Sequence, residues 1–413
     1  MKILHTADWH LGQTFYEHDR TFEHQQFLNW LIGVLKEHQI DVLIISGDVF
    51  DLSNPAASTV KLFYTFLNNA IKTRPDLQII VTAGNHDSAT RLESPKPLLE
   101  SSNIHIIGTI DRNTDGSIDF DKLVIPIKNK QSEIELWCIA IPFLRMGDYP
   151  VIAGTTAPYI DGVTALYEMV YEYALAKKQP GQAILALGHL HTLDAEISEH
   201  DKHERPIMGG VEFIPASAFD ESIIYVALGH IHKAQRIGNK GNIYYSGSPI
   251  PMSFSELNYN HKVIVFEVKD EKLSNIQFLE IPVTTVLLRV PTVSKPLTEV
   301  LQELSKLPEA GEDIEHSPYL EVRVLLDGPE PALRHKIESV LDNKHVRLAK
   351  IDVKYPNPNG NEEVIAVNNN KLPELKPVDV FNKIFKSRFN TAPPDDLLKM
   401  FNQVLQEIDN NQD

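Results

Sequence analysis

The chain has 413 residues, 42% of them hydrophobic, and a formal net charge of −17. That length exceeds what one compact core accommodates, so two or three domains are expected, and the acidic balance argues against a broadly basic nucleic-acid binder, although a local basic face can coexist with it. No apolar run reaches membrane-span length, the N-terminus does not read as a cleavable signal peptide, and the single Cys138 is expected to be a small core residue of a protein from a reducing cytosol.

The first element expected is a strand at Ile3-Leu4, which stops at Asp8-Trp9-His10. A helix follows over 22–37, with Phe27, Leu31, Val34 and Leu35 on one stripe. The run Val42–Ile45 reads as a strand ending at Gly47-Asp48, and 58–72 as a helix with Val60, Phe63, Leu67, Ala70 and Ile71 on its stripe. Ile79-Ile80-Val81 ends at Gly84-Asn85-His86-Asp87. A third helix over 159–178 leads to the run 183–187, which ends at Gly188-His189. The run 223–228 ends at Gly229-His230-Ile231-His232, and Ile243-Tyr244-Tyr245 and 262–268 look like closing strands. The runs do not alternate polar and apolar residues, so they read as strands buried on both faces. Strand and helix alternate, which is the signature of a layered α/β domain over 1–281.

Beyond Pro282, strands at 286–290, 319–326 and 347–353 alternate with helices at 297–307 and 331–341, which suggests a small α/β capping domain over 282–355. Its basic stretch offers Arg334, Lys336 and Arg347 as DNA contacts, against the plainer reading of a solvated helix face. A polar linker is expected at 356–374. The last segment, 375–413, carries two amphipathic helical patterns, 378–389 and 395–408. Their stripes are Val380, Phe381, Ile384 and Phe385, and Leu397, Leu398, Phe401, Val404 and Leu405. Such a pair either folds back on its own chain or docks into a groove of a partner.

In open α/β sheets, ligands bind where strands end at their carboxyl side, so polar clusters distant in sequence can converge. Asp8 and His10 are two apart and point the same way in an extended segment. Asp48 is a carboxylate able to bridge two cations, Asn85 adds a neutral oxygen, and His189, His230 and His232 add imidazoles. Mixed carboxylate and imidazole ligation suits Mn²⁺, Fe or Zn²⁺ more than Mg²⁺ or Ca²⁺. His86 precedes Asp87, which could fix its tautomer. This suits a general acid for a leaving alkoxide, while the alternatives are a further ligand or a surface histidine. His191 competes with His189 as a ligand, and His189 is preferred because it directly follows its strand and Gly188. His200 and His203 read as part of a solvated loop, with a metal or DNA contact as the alternative. Trp9, Phe15 and Tyr16 read as core, with base stacking as the alternative. Asp51 reads as a capping residue or an outer partner of the ligands, with a ligand as the alternative.

The series D-x-H, G-D-x-x-D, G-N-H-D, G-H and G-H-x-H, in this order, resembles the calcineurin-like metallophosphoesterases. Residues 3–12, 225–233 and 245–254 further resemble the DNA double-strand-break repair nucleases within them. The resemblance implies two sheets between helices and a dimanganese site. Asp8, His10, Asp48 and His232 would hold one ion, and Asp48, Asn85, His189 and His230 the other. His86 would act near the leaving group with Asp87 behind it. The resemblance also implies DNA ends or hairpins as substrate, and a large coiled-coil ATPase as partner of a homodimer within a heterotetramer. Eukaryotic and archaeal relatives carry histidine where this chain has Asp51, so no role of that histidine transfers. Two rival readings remain: a phosphomonoesterase or cyclic-nucleotide phosphodiesterase on the same site, and a scaffold that keeps the metal site for stability alone.

Overall fold

Short β-branched runs buried on both faces become the inner strands of two sheets, and the amphipathic segments between them become the covering helices. The computed structural model describes residues 1–193, 195–196, 213–238, 241–311 and 315–355, together with 381, 385, 393–394, 397–398 and 400–401. The chain divides into two units, Met1–Thr285 and Val286–Asp413.

The first unit opens with β1 (Lys2–Thr6), β2 (Thr14–Phe15), β3 (His18–Asp19), α1 (Thr21–Glu37), β4 (Val42–Ser46), α2 (Ala57–Thr73) and β5 (Gln78–Thr82). It continues with α3 (Ala89–Glu93), α4 (Lys96–Leu99), β6 (Ile104–Ile107), β7 (Val124–Lys128), β8 (Ile134–Ala140) and α5 (Pro158–Lys177). It closes with β9 (Ala183–His189), β10 (Tyr225–Gly229), β11 (Gln235–Arg236), β12 (Ile243–Tyr245), β13 (Lys262–Lys269) and β14 (Lys272–Glu280). One six-stranded sheet has the order β14-β13-β1-β4-β5-β6 and the other β11-β12-β10-β9-β8-β7. In the first, β1, β4, β5 and β6 are parallel, while β13 and β14 are antiparallel additions. In the second, β8, β9, β10 and β12 are parallel.

Alternation within the buried strands decides the layers. Leu43 and Ile45 of β4 join Phe27 and Leu31 of α1 and Phe63 and Leu67 of α2 in one core. Val42 and Ile44 point the other way and join Leu185 and Ala227 of the second sheet. α5 packs on that second sheet through Val163, Leu166, Tyr167 and Val170. His5 Nδ1 lies 3.0 Å from the Tyr225 hydroxyl, a buried polar contact between the two sheets. The result is two sheets flanked by helices.

The second unit contains β15 (Leu287–Pro296), α6 (Leu297–Ser305), β16 (Tyr319–Leu325), α7 (Leu333–Leu341) and β17 (Arg347–Lys354). Its three strands are parallel in the order β15-β16-β17. Val300, Leu304 and Ile337 of the helices pack on Leu320, Val322 and Val324. Among the described residues of the tail, Phe381 stacks on Phe401 at 4.3 Å with 14° between the rings. The linker at 356–374, most of both tail patterns, and His200 and His203 lie outside the described residues. Among the described residues, no helix is long and apolar enough to cross a membrane.

Candidate metal centre

Parallel strands deliver all their carboxyl ends to one edge, and the two sheets are stitched together at that edge. Ser46 Oγ at the end of β4 donates to the Ala227 carbonyl of β10 at 3.2 Å. The His230 amide donates to Asp8 Oδ1 at 2.8 Å. The loops after β1 and β4 run side by side, with the Asp8 amide on the Gly47 carbonyl at 3.1 Å and the His10 amide on the Asp48 carbonyl at 3.0 Å. Trp9 anchors the first loop from below. It is fully buried against Phe27, Phe63 and Phe66, with centroids 5.5, 6.1 and 5.2 Å away.

Three overlapping groups of ligand atoms result, each within 4.8 Å: Asp8, His10 and His232; Asp48, His189 and His230; and His10, Asp48 and His86. Asp48 belongs to two of them. Its Oδ2 lies 3.2 Å from His189 Nε2 and 3.7 Å from His10 Nε2. Asn85 Oδ1 is 3.0 Å from His189 Nε2. The preferred His189 therefore sits among the other candidates. His191 is in none of these groups, and its ring lies 4.0 Å from that of His230. A cavity of about 430 Å³ lined by Met1, Asp41, Gln78 and Lys128 lies at the opposite, amino ends of the strands, away from all these groups.

The electrostatics are those of a cation site. Burial pushes the Asp8 carboxyl up to about 6, and Asp48 adds to this against the pull of His189, His232 and His10. Burial also opposes ionisation of Asp48, but the charge and hydrogen bond of His189 outweigh it and hold Asp48 well below the usual carboxylate range. Burial lowers His189 and Asp48 raises it, for a net rise to about 9. Asp8 Oδ2 is buried with no hydrogen-bond donor. Buried carboxylate oxygens in that condition are costly unless a cation meets them. Two carboxylates, an amide oxygen and four imidazoles fit divalent metal ions.

The backbone is shaped to make this possible. Asp8, His10, Asp48 and His230 all have positive φ, at 54°, 44°, 49° and 97°. Asp8 and His10 therefore share a site through two left-handed residues rather than through the extended segment expected from the sequence. Gly84 permits the closest approach: a Cβ there would lie 2.1 Å from Asp48 Oδ1 and 2.3 Å from the Asp48 amide nitrogen.

The expected pairing of Asp87 with His86 is corrected. Asp87 is buried and accepts from three amides, Val49 and Gly84 at Oδ2 and Phe50 at Oδ1, at 3.1, 2.9 and 2.9 Å. It ties the β4 and β5 loops together. The ring nitrogen Nδ1 of His86 instead lies 2.8 Å from the Asp51 carbonyl oxygen. The Asp51 carboxylate approaches a different histidine, His10, with 3.3 Å between Oδ1 and Nδ1. Trp9 and Phe15 are core, and Tyr16 is 41% exposed.

Arg334, Lys336 and Arg347 are not brought together. Arg334 and Lys336 lie two apart on α7 and pair with Glu338 at 2.7 Å and Glu330 at 2.9 Å. Arg347 stacks over Tyr319, 3.9 Å from the ring, and Tyr319 alternates with Leu320 and so lies on the sheet face away from the helices. Sequence reasoning missed Glu256, whose Oε1 lies 3.0 Å from His232 Nδ1. The available signal was the Ser253-x-x-Glu256 spacing, which announces a turn start but not a histidine partner.

Residues 1–234 match the family model for calcineurin-like phosphoesterase, and residues 284–389 match the model described as Type 5 capsule protein repressor C-terminal domain. The chain is 32% identical to the SbcD subunit of Nuclease SbcCD from Rhodobacter capsulatus, over 86% of this chain and 88% of the relative. It is 30% identical to the corresponding subunit from Escherichia coli K12, over 93% and 92% of the two chains. The protein of the same name from Bacillus subtilis is 28% identical over 99% of each. With a two-sheet fold, converging histidines and carboxylates, and matches spanning nearly its whole length, the chain belongs to the calcineurin-like phosphoesterases and, within them, to the SbcD nuclease family.

Proposed function

We propose that this chain is a metal-dependent DNA nuclease that cleaves phosphodiester bonds with two divalent ions, Mn²⁺ foremost. The observation that carries the reading is Asp48, shared by the buried group with His189 and His230 and by the group with His10 and the partly exposed His86, while His10 in turn belongs to the buried group with Asp8 and His232. Asp8, His10, Asp48 and His232 would hold one ion, and Asp48, Asn85, His189 and His230 the other. Such a pair of ions, when bound, neutralises phosphate charge and makes water more acidic. The chain's own contribution is orientation and proton handling. His86 donates from Nδ1 to the Asp51 carbonyl, which leaves the buried Nε2 to carry and deliver a second proton to the leaving oxygen. Asp87 holds the loop that presents His86.

The relatives are named as one component of the SbcCD nuclease. From this we extend the reading to DNA ends or hairpins as substrate and an SbcC-type coiled-coil ATPase as partner. The partner would be engaged by the helices of 375–413, by a homodimer within a heterotetramer in the cytoplasm. Residues 282–355 would form a small α/β domain that contacts DNA, and 1–281 the nuclease domain. The test is a substrate panel with Mn²⁺: linear DNA, bis-nitrophenyl phosphate and nitrophenyl phosphate. DNA and the diester should be cleaved, the monoester much more slowly, and chelation should abolish all cleavage. Cleavage confined to the monoester or to cyclic nucleotides would overturn the nuclease reading. No turnover by protein that holds its ions would leave a scaffold.

A further inference from the structure

A histidine ligand generally presents one ring nitrogen to its ion while the other is held by a hydrogen-bond partner. In this site His189 and His232, one from each set of ligands, are held by different chemistry. His189 Nδ1 lies 2.9 Å from the neutral Ser46 carbonyl. His232 Nδ1 lies 3.0 Å from the carboxylate of Glu256, which is 1% exposed. The second oxygen of Glu256 accepts from the Met252 amide at 2.9 Å, so both oxygens are committed.

The turn that carries Glu256 is itself clamped. Arg20 is fully buried, and its Nη1 donates to the Pro251 carbonyl at 2.6 Å and to Gln13 Oε1 at 2.8 Å. Its Nε and Nη2 form a fork on Glu23 at 3.1 and 2.7 Å. Phe15 lies 5.0 Å under the guanidinium and packs against Phe254 at 5.3 Å. Gln13, Phe15 and Arg20 continue the loop that delivers Asp8 and His10, so the clamp ties that loop to the turn of Glu256.

We propose that Glu256 is the positioning residue of one ion position alone, holding His232 so that it faces Asp8 and His10, from a turn that Arg20 locks to the loop carrying those two ligands. The proposal rests on the two-ion reading above. A glutamine in its place cannot serve both partners. With its oxygen toward His232 Nδ1, its amino group meets the Met252 amide donor, and with the amide flipped it meets the histidine proton. Aspartate keeps the charge and both acceptors but falls short by one methylene.

The test is Mn²⁺ binding to metal-free, full-length protein, with affinities from calorimetry and bound metal counted by elemental analysis. Wild type should bind two ions, and fewer than two would overturn the two-ion reading whatever the variants do. Glu256→Gln should bind one ion as wild type does and the other about 10–100-fold more weakly, the usual cost of losing an outer partner of a ligand. Glu256→Asp should fall between them, weaker than wild type by at least about a few-fold. Two ions bound by wild type and by Glu256→Gln with the same affinities would overturn the proposal. So would an equal weakening of both positions, the mark of a merely structural role. If Glu256→Gln does not fold, Glu256→Asp decides: a second-ion affinity equal to wild type overturns the proposal.

Discussion

Asp8 in the first unit and Glu321 in the second are both buried carboxylates, and the protein treats them in opposite ways. Glu321 lies on β16, 1% exposed, with Arg289, Arg323 and Lys350 around it; Arg323 Nε is 3.2 Å and Lys350 Nζ 3.0 Å from its oxygens. Burial pushes its carboxyl up, but Lys350 and Arg289 outweigh this and hold it below the ordinary range. Asp8 has imidazoles and a second carboxylate about it, and it is raised to about 6. The first arrangement is complete within the chain, whereas the second is complete only with cations from outside. Burial alone therefore does not separate a structural acid from a functional one; the permanence of the charge on its neighbours does.

Three substitutions sharpen this contrast. The largest effect is expected for Asp48→Ala, which removes the acid common to two ligand groups. DNA cleavage should fall by more than the roughly 10²–10⁴-fold that a single acid–base group supplies, and both ions should bind more weakly. Full activity in this variant would end the two-ion reading. His86→Ala comes next, with a loss of about 10²–10⁴-fold in cleavage rate while elemental analysis still counts both ions. An ion missing from that variant would make His86 a ligand, as its proximity to His10 and Asp48 allows.

The smallest effect on chemistry belongs to Glu321→Gln. It should cost about 2–3 kcal/mol of the second unit's stability near neutral pH, the usual worth of charge-assisted hydrogen bonds. Diester hydrolysis should be unchanged. The sign with pH follows from the lowered carboxyl: the wild-type contribution is present above about 4.5 and is lost as pH falls through the folded-state value. Denaturant melts from pH 7 to 3 should therefore converge for wild type and variant. Curves that stay parallel would show that Glu321 carries no linked charge.

The parts legible in the sequence were those written locally. Helices expected at 22–37 and 58–72 are Thr21–Glu37 and Ala57–Thr73, because their stripes are periodic and uninterrupted. The polar clusters at 8–10, 48, 85–87, 189 and 230–232 meet at one edge because a parallel sheet leaves no other place for its carboxyl ends. What was not legible depends on residues far apart in the chain. Glu256 is 24 positions from the histidine it holds. Asp87 looked like a partner for its neighbour His86, but the amides of Val49 and Phe50 in another loop claim it. β14 escaped notice because only every third of its residues is partly covered, at the edge of its sheet. The basic residues of 334–347 look like one patch in the sequence, yet strand alternation and the helix assign them to separate surfaces.

The left-handed backbone at His10 and His230 has a consequence for how this chain would change over generations. A residue with a Cβ gives up on the order of 1 kcal/mol to stand there, and glycine gives up little. Folding alone would thus favour glycine at both positions. A duplicate gene released from any demand for cleavage would drift toward it, becoming sturdier as it became inert. Histidines in such turns thus stand at a cost in stability that only a use of the imidazole offsets.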